Sequence, residues 1–331
     1  MPLSHKALVR LRKCCIVRKN MELVLDALRK SGLSEGRTEE IQKLFESGGQ
    51  YRYVEQFMPV DKGMTNRLFY FTANGKEYLL RIPGEGSEYL VNRRQEAWVY
   101  RTLADQDITD RYVYMNPETG LKITEYISDV HCCDMQNMEE VHRCIRHLYH
   151  FHSLRLESEE WFDIFEKLRE YERACRHEMT LHFPNYRDTR EKIGKLKKII
   201  ENSPREYCLC HIDSVPDNFL VREDKVFLID WEYAAMADPH MDIAMFCIYA
   251  GYDKEQIDRV TKFYFEGTAP KEIRRKIYCY IAVGGLLWTV WCEIKRDSGV
   301  VFDEYEKIQY RYAVEYYDYA IKEWDGNEET V

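Results

Sequence analysis

Between Tyr51 and Ile82 the apolar residues recur with a period near two, in the runs Tyr51–Met58, Arg67–Thr72 and Glu77–Ile82, and Asn74-Gly75 separates the last two. An Asn-Gly pair tolerates positive φ at both central positions of a tight hairpin turn, so this stretch predicts an antiparallel sheet. Ser87–Leu103 follows with helical spacing, and Leu121–Ile127 reads as a further strand rich in β-branched and aromatic residues. Past Asp129 the pattern changes to the helical period, most clearly over Met138–Leu154, Trp161–Glu178 and Lys192–Ile200. Strands followed by helices predict an α+β chain with two lobes: a small antiparallel β-sheet lobe over 51–128 and a larger, mainly helical lobe over 129–331.

Residues 1–50 stand before this as a basic helical extension. Residues 1–30 hold eight Lys/Arg against Glu22 and Asp26, and Met21–Leu28 and Thr38–Phe45 show helical spacing on either side of Ser31-Gly32. Ser47-Gly48-Gly49 reads as a linker. Two short helices also occur in DNA-binding modules, but nothing here distinguishes one, and the whole chain, 48 Lys+Arg against 57 Asp+Glu, has a formal charge of −9. That charge lacks the positive field which nucleic-acid binding exploits, so no nucleic-acid partner is expected. Eleven cysteines, an odd number with Cys14-Cys15 and Cys132-Cys133 adjacent, predict reduced thiols in a cytoplasmic setting rather than a disulfide framework. The longest apolar stretch, Tyr278–Cys292, falls short of the ~20 residues that span a bilayer and predicts a buried helix, not membrane insertion.

The most informative segment runs from Cys208 to Asp230. Two short apolar strands, Phe219–Val221 and Val226–Ile229, flank a turn at Arg222–Lys225, which puts Asn218 and Asp230 at the ends of a hairpin where their side chains can converge. Phosphoryl transfer needs such a group: one carboxylate to accept the proton of the attacking hydroxyl, and a second carboxylate with an amide oxygen to hold Mg²⁺ through hard oxygen ligands. Asp213, Asp230 and Asn218 suit those three tasks. Cys208, Cys210 and His211 invite a zinc reading, but no second ligand pair follows at a suitable spacing.

His211-x-Asp213-x-x-x-x-Asn218, then Ile229-Asp230-Trp231-Glu232 and Asp238-Pro239-x-x-Asp242, resembles the aminoglycoside phosphotransferase and choline kinase superfamily over about residues 50–320. Within that superfamily it looks most like the bacterial choline kinases of the phosphocholine-decoration type. The resemblance implies a protein-kinase-like bilobal fold with a nucleotide-binding first lobe and a catalytic, substrate-binding second lobe, acting on a small molecule with ATP and Mg²⁺. It implies Asp213 as catalytic base, Asn218 and Asp230 as metal ligands, and His211 and Asp242 as supports of the catalytic loop. Asp61-Lys62-Gly63-Met64-Thr65-Asn66 matches the position of the family's phosphate loop, with Lys62 where a first glycine is usual, so Lys62, Gly63, Thr65 and Asn66 are nucleotide-binding candidates. Arg81 stands where protein kinases have a lysine, with Glu96 as its partner, and Thr124–Ile127 resembles the hinge strand, with Glu125 and Ile127 beside adenine.

Gly284–Trp291 resembles the W-x-x-W helix of choline kinases. Trp288 and Trp291 are three residues apart and share one helical face. A quaternary ammonium donates no ordinary hydrogen bond, so aromatic faces are its natural receptor, and paired tryptophans point to choline. Tyr252 is a candidate third wall, Glu293 and Asp297 could attract the cation, and Lys307 stands at the position of a further family cage tyrosine. The expected activity is phosphorylation of a small amino alcohol, choline to phosphocholine; the alternatives are an aminoglycoside or other small-molecule kinase of the superfamily, or a catalytically silent kinase-like binding protein. The sequence leaves the oligomeric state open.

Overall fold

The computed structural model describes residues 21–47, 51, 53–60, 66–84, 91–297 and 299–325. The chain divides into two compact units, residues 1–129 and 130–331.

In the first unit, five antiparallel strands lie in the order β1 (Val54–Val60), β2 (Arg67–Ala73), β3 (Lys76–Ile82), β5 (Lys122–Glu125), β4 (Tyr112–Met115). The β2–β3 hairpin turns through Asn74 and Gly75 at φ 54° and 71°, the left-handed backbone that this residue pair tolerates. Strand β1 begins three residues after the predicted start, and β4 was not legible as a strand because none of its residues is fully buried. Helix α3 (Arg93–Leu103) is capped by Asn92, whose side chain accepts from the Gln95 amide.

Two helices precede the sheet, α1 (residues 21–30) and α2 (Glu35–Ser47). Val24, Leu28, Ile41 and Phe45 are buried in one core with Phe57, Phe71, Tyr78 and Leu80 of the sheet. Phe45 meets the rings of Tyr51, Phe57 and Phe71 at 5.8, 6.0 and 5.2 Å. Glu40 accepts from Asn116 Nδ2 at 2.9 Å and Thr119 Oγ1 at 2.5 Å, pinning α2 to the β4–β5 turn. Residues 21–47 are therefore not a separate extension. The amphipathic spacing that announced two helices also supplies the lid of the sheet's core, and only the path of the chain shows where that apolar face is buried.

In the second unit, α4 (Met138–Ser153), α5 (Ile164–Ala174), α6 (Tyr186–Asn202), α7 (His240–Tyr249), α8 (Lys254–Phe265), α9 (Lys271–Arg296) and α10 (Asp303–Asp325) surround two small antiparallel sheets. One pairs β6 (His131–Cys132), β8 (Phe219–Val221) and β9 (Val226–Leu228); the other pairs β7 (Cys208–Cys210) with β10 (Ala235–Ala237). Helix α5 is shorter than predicted because Asp163 caps its start and the chain turns extended at Cys175. Helix α9 is long and apolar enough to cross a membrane, yet 89% of its apolar window is buried within the unit. At Gly285 an added Cβ would sit 2.5 Å from the Gln309 carbonyl, so glycine permits the close approach of α10.

Because α1 and α2 complete the sheet's core, Phe45→Ala should cost about 3 to 5 kcal/mol of unfolding free energy. Urea denaturation of the full chain measures it, and a detachable extension would give almost no loss.

Candidate active site

Three buried cations of the first unit converge on one carboxylate. Glu96 on α3 is fully buried and lies 2.6 Å from Arg81 Nη2 on β3, 2.9 Å from Arg93 Nη1 and 3.6 Å from Lys122 Nζ on β5. Burial alone would raise the carboxyl's pKa, but Arg81, Lys122 and Arg93 outweigh it and hold it down at about 2. Sequence reasoning found the Arg81–Glu96 pair but not Arg93 or Lys122. Lys122 also donates to the Tyr100 hydroxyl at 2.5 Å, which spares part of its burial cost. Of the remaining first-unit candidates, Lys62, Gly63 and Thr65 lie outside the described residues. Asn66 is half-buried, and its Oδ1 is buried without a hydrogen-bond partner among the described residues. Glu125 closes β5 with its amide donating to the Arg111 carbonyl at 2.8 Å, while Ile127 follows, half-buried.

In the second unit, the segment after β7 is held by a single side chain. Asp242, in the first turn of α7, accepts the backbone N–H of His211 and of Ile212, both at 2.7 Å, and pairs with His152 Nε2 at 3.0 Å. Ser214 Oγ donates to the Asp242 carbonyl at 2.7 Å. Ile212 stands at φ 71°, a costly conformation for a β-branched residue, which these bonds hold in place. The fully buried His211 ring lies 4.6 Å from Trp231 and 2.9 Å from the Ile229 carbonyl through Nε2; burial lowers its pKa, which makes it a neutral packing and donor group.

This loop presents Asp213. The β8–β9 hairpin puts Asn218 and Asp230 at its two ends, and the Ile229 amide donates to the Asn218 carbonyl at 2.9 Å just beyond the ladder. Asn218 Nδ2 donates to the Asp213 carbonyl at 2.8 Å and to its Oδ2 at 3.2 Å, so Asn218 keeps its amide oxygen for another partner. Burial together with the negative charges of Asp230 and Glu232 pushes Asp213 up to about 7, with Asn218 opposing. Asp213, Asn218 and Asp230 are thus brought together as oxygen donors in a field short of positive charge, a set that fits a hard divalent cation. Glu232 belongs to that field and was not singled out from the sequence.

Around Asp213 the unit is aromatic. Tyr171, Tyr233, Tyr249 and Tyr305 all feel its charge, and the Tyr249 and Tyr305 rings are 6.1 Å apart. On α9, Trp288 and Trp291 meet edge to face at 5.6 Å and 82°, Trp291 packs on Phe302 at 5.4 Å, and Lys295 Nζ stands 5.3 Å from the Trp291 ring centre. The contacts of three further residues bear on the aromatic site. Tyr252 is a core residue: it is fully buried, its hydroxyl donates to the Met135 carbonyl at 2.6 Å, and its ring packs on Phe246. Lys307 is an exposed partner of Glu304, and the aromatic residue nearby is Tyr305, two positions earlier. Glu293 is fully buried with its carboxylate taken by His177 and His182.

A small antiparallel-sheet unit with a buried Arg–Glu pair, followed by a mainly helical unit that presents Asp, Asn and Asp around one loop and hairpin, defines the bilobal kinase-like phosphotransferase class. The choline/ethanolamine kinase family profile matches residues 57–261, more than half of the chain, and the chain belongs to that family. The chain is similar to protein LicA of Haemophilus influenzae, at 25% identity over 258 residues that span 73% of this chain and 74% of that protein. Among solved structures it is similar to choline kinase LicA of Streptococcus pneumoniae (TM-score 0.73, 24% identity, 86% of this chain and 100% of that one). It is also similar to a choline/ethanolamine kinase family protein of Mesorhizobium loti (TM-score 0.70, 22% identity, 85% and 94%). These structural likenesses bear on the fold.

Glu96 is held ionised by its neighbours, so its stabilising contribution is complete above its ordinary value of 4.5 and fades as the pH falls toward about 2. Glu96→Gln, which strands three buried cations, should therefore be less stable than the parent by about 3 to 5 kcal/mol near neutral pH, with the gap narrowing below pH 4.5. Denaturation of both proteins across pH checks this; a constant gap would show that the charge is irrelevant.

Proposed function

We propose that the protein transfers the γ-phosphoryl group of ATP to the hydroxyl of choline, giving phosphocholine and ADP. The observation that supports this most is the Asp242-anchored loop, which fixes the backbone just before Asp213, with Asn218 donating to the Asp213 carboxylate and Asp230 within its electrostatic reach. The hydroxyl oxygen forms a bond to the γ-phosphorus as the bond to the ADP oxygen breaks, and Asp213 accepts the hydroxyl proton. A base that titrates near neutrality suits that exchange, and oxygens of Asn218 and Asp230 would hold Mg²⁺, which supplies charge neutralisation on the phosphates. In the first unit Arg81, fixed by Glu96, is a phosphate ligand with Asn66 beside it, and the Glu125–Ile127 backbone faces adenine. His211 and Asp242 act through the loop's geometry.

Choline is favoured over other acceptors by Trp288 and Trp291. Their crossed faces offer a cationic group about 0.5 to 2 kcal/mol each, and Lys295 lies 5.3 Å from the Trp291 ring centre. Tyr305 replaces Tyr252 as the candidate further wall. The family and the H. influenzae and S. pneumoniae relatives named LicA support the choline or ethanolamine class over an aminoglycoside. The described cysteines are free thiols, in keeping with a reducing cytoplasm.

Asp213→Asn should lower kcat by roughly 10² to 10⁴ while leaving nucleotide binding close to the parent's, whereas Asp230→Asn should weaken metal–nucleotide binding. Coupled ADP release with choline, ethanolamine, thiamine and kanamycin, alongside nucleotide titrations, reads both effects; near-normal turnover by Asp213→Asn would remove it as the base.

For the acceptor, Trp288→Leu or Trp291→Leu should raise the KM for choline far more than that for ATP, with the Phe variants in between. Neutral 3,3-dimethylbutanol should be a markedly poorer substrate than choline for the parent, and the gap should shrink in the Leu variants. Equal use of the charged and neutral alcohols by the parent would exclude an aromatic cation site.

A further inference from the structure

Outside the phosphotransfer machinery, the loop between α5 and α6 faces the last turn of α9 with a cluster of unusual composition. His177 Nε2 and His182 Nδ1 both meet the carboxylate of Glu293, the latter at 2.9 Å from each oxygen, and the three donor atoms lie within 4.8 Å of one another. Glu293 is fully buried, while the His177 and His182 side chains are 21% and 38% exposed, so the cluster opens to solvent on the histidine side.

The second nitrogen of His177 sharpens the point. Its Nδ1 lies 3.1 Å from Asp297 Oδ1, and Asp297 Oδ2 in turn accepts the Arg176 amide at 2.9 Å. Both ring nitrogens therefore face carboxylate oxygens. A neutral imidazole has one N–H, so Nε2 reaches Glu293 either as the second N–H of an imidazolium or through a metal ion held between them. A carboxylate behind a histidine whose other nitrogen faces a shared buried carboxylate is the arrangement that orients a metal-bound imidazole. Arg296 lies 3.4 Å from Glu293, but it is bound more closely by Glu306 at 2.5 Å and also by Asp303 at 3.1 Å.

We propose that His177 Nε2, His182 Nδ1 and Glu293 form a binding site for a divalent transition-metal ion of the zinc type, with Asp297 positioning His177. Two imidazole nitrogens and a carboxylate suit zinc, whereas the all-oxygen set at Asn218 and Asp230 suits magnesium. The donors stand at hydrogen-bond spacing and would part to about 3.3 Å, the edge of a tetrahedron with metal bonds near 2.0 to 2.1 Å. The exposed His182 can make that shift. A bound ion would tie the 175–185 loop to α9 two residues after Trp291, so it would brace that end of the tryptophan helix. The inference does not depend on the acceptor or on phosphoryl transfer.

The test uses the full chain, stripped with chelator and titrated with Zn²⁺ against a chromophoric competitor, with Co²⁺ absorption as a signature of coordination. The parent should take up one Zn²⁺ per chain at this site and gain thermal stability. His182→Ala, the least disruptive change, should lose at least about tenfold in affinity and the thermal gain, and Asp297→Asn should lose about 10 to 100-fold. Asp230→Asn should bind Zn²⁺ as the parent does. A parent that takes up no stoichiometric Zn²⁺, or a folded His182→Ala and His177→Ala that bind it as tightly as the parent, would overturn the site, the second result assigning the metal to thiols elsewhere.

Discussion

The fully buried carboxylate of Asp242 organises the second unit. Isolated, it would carry a large desolvation cost; here two consecutive backbone N–H groups and His152 Nε2 surround it. Those bonds hold Ile212 in a left-handed conformation that a β-branched residue avoids, and the bend they fix presents Asp213 toward Asn218. His152 is held from its other side by the Tyr264 hydroxyl at 2.8 Å, so α4, α7 and α8 all meet at this carboxylate. The chemistry of the loop rests on the packing of three helices behind it.

The first unit uses the same device with the signs arranged differently. Glu96 is as deeply buried as Asp242, but its partners are formal charges rather than backbone amides. Arg81 on β3 and Lys122 on β5 come from paired strands, in a register that sets Arg81 opposite Lys122. Two neighbouring cations on one sheet face would repel; Glu96 makes their proximity favourable, and it fixes the direction of the Arg81 guanidinium. Strand register, a property of the whole sheet, is thereby coupled to the orientation of one functional side chain.

Helix α9 joins the aromatic face to the acid–histidine cluster. Trp288 and Trp291 lie one turn apart, Glu293 follows two residues later, and the helix is buried along most of its length against α5, α6, α7 and α10. Gly284 and Gly285 let α7 and α10 approach closely, so the tryptophans extend from a rigid support rather than from a loop. Rigidity of that kind matters for an aromatic receptor because its attraction to a cation depends on ring orientation.

Local pattern carried much of this. Alternation gave β2 and β3 and the Asn74-Gly75 turn between them, helical spacing gave α4 and the second half of α6, an unbroken apolar run gave the middle of α9, and the ordered set from His211 to Asp242 pointed to phosphoryl transfer, because those properties are written into residues close together in the chain. Other features depend on approach across long stretches of sequence, for which no local signal exists. His152 reaches Asp242 across 90 residues, Lys122 reaches Glu96 across 26, and His177 and His182 reach Glu293 across more than 100. Tyr252 and Tyr305 are indistinguishable as letters; one is sealed into the core by Met135 and Phe246, and the other is half-exposed within the field of Asp213. The sequence determined which chemical groups the chain possesses and which secondary structures hold them. Only the tertiary fold decided which charges share a buried volume, since the energy of a buried charge is set by neighbours that the chain brings from far away.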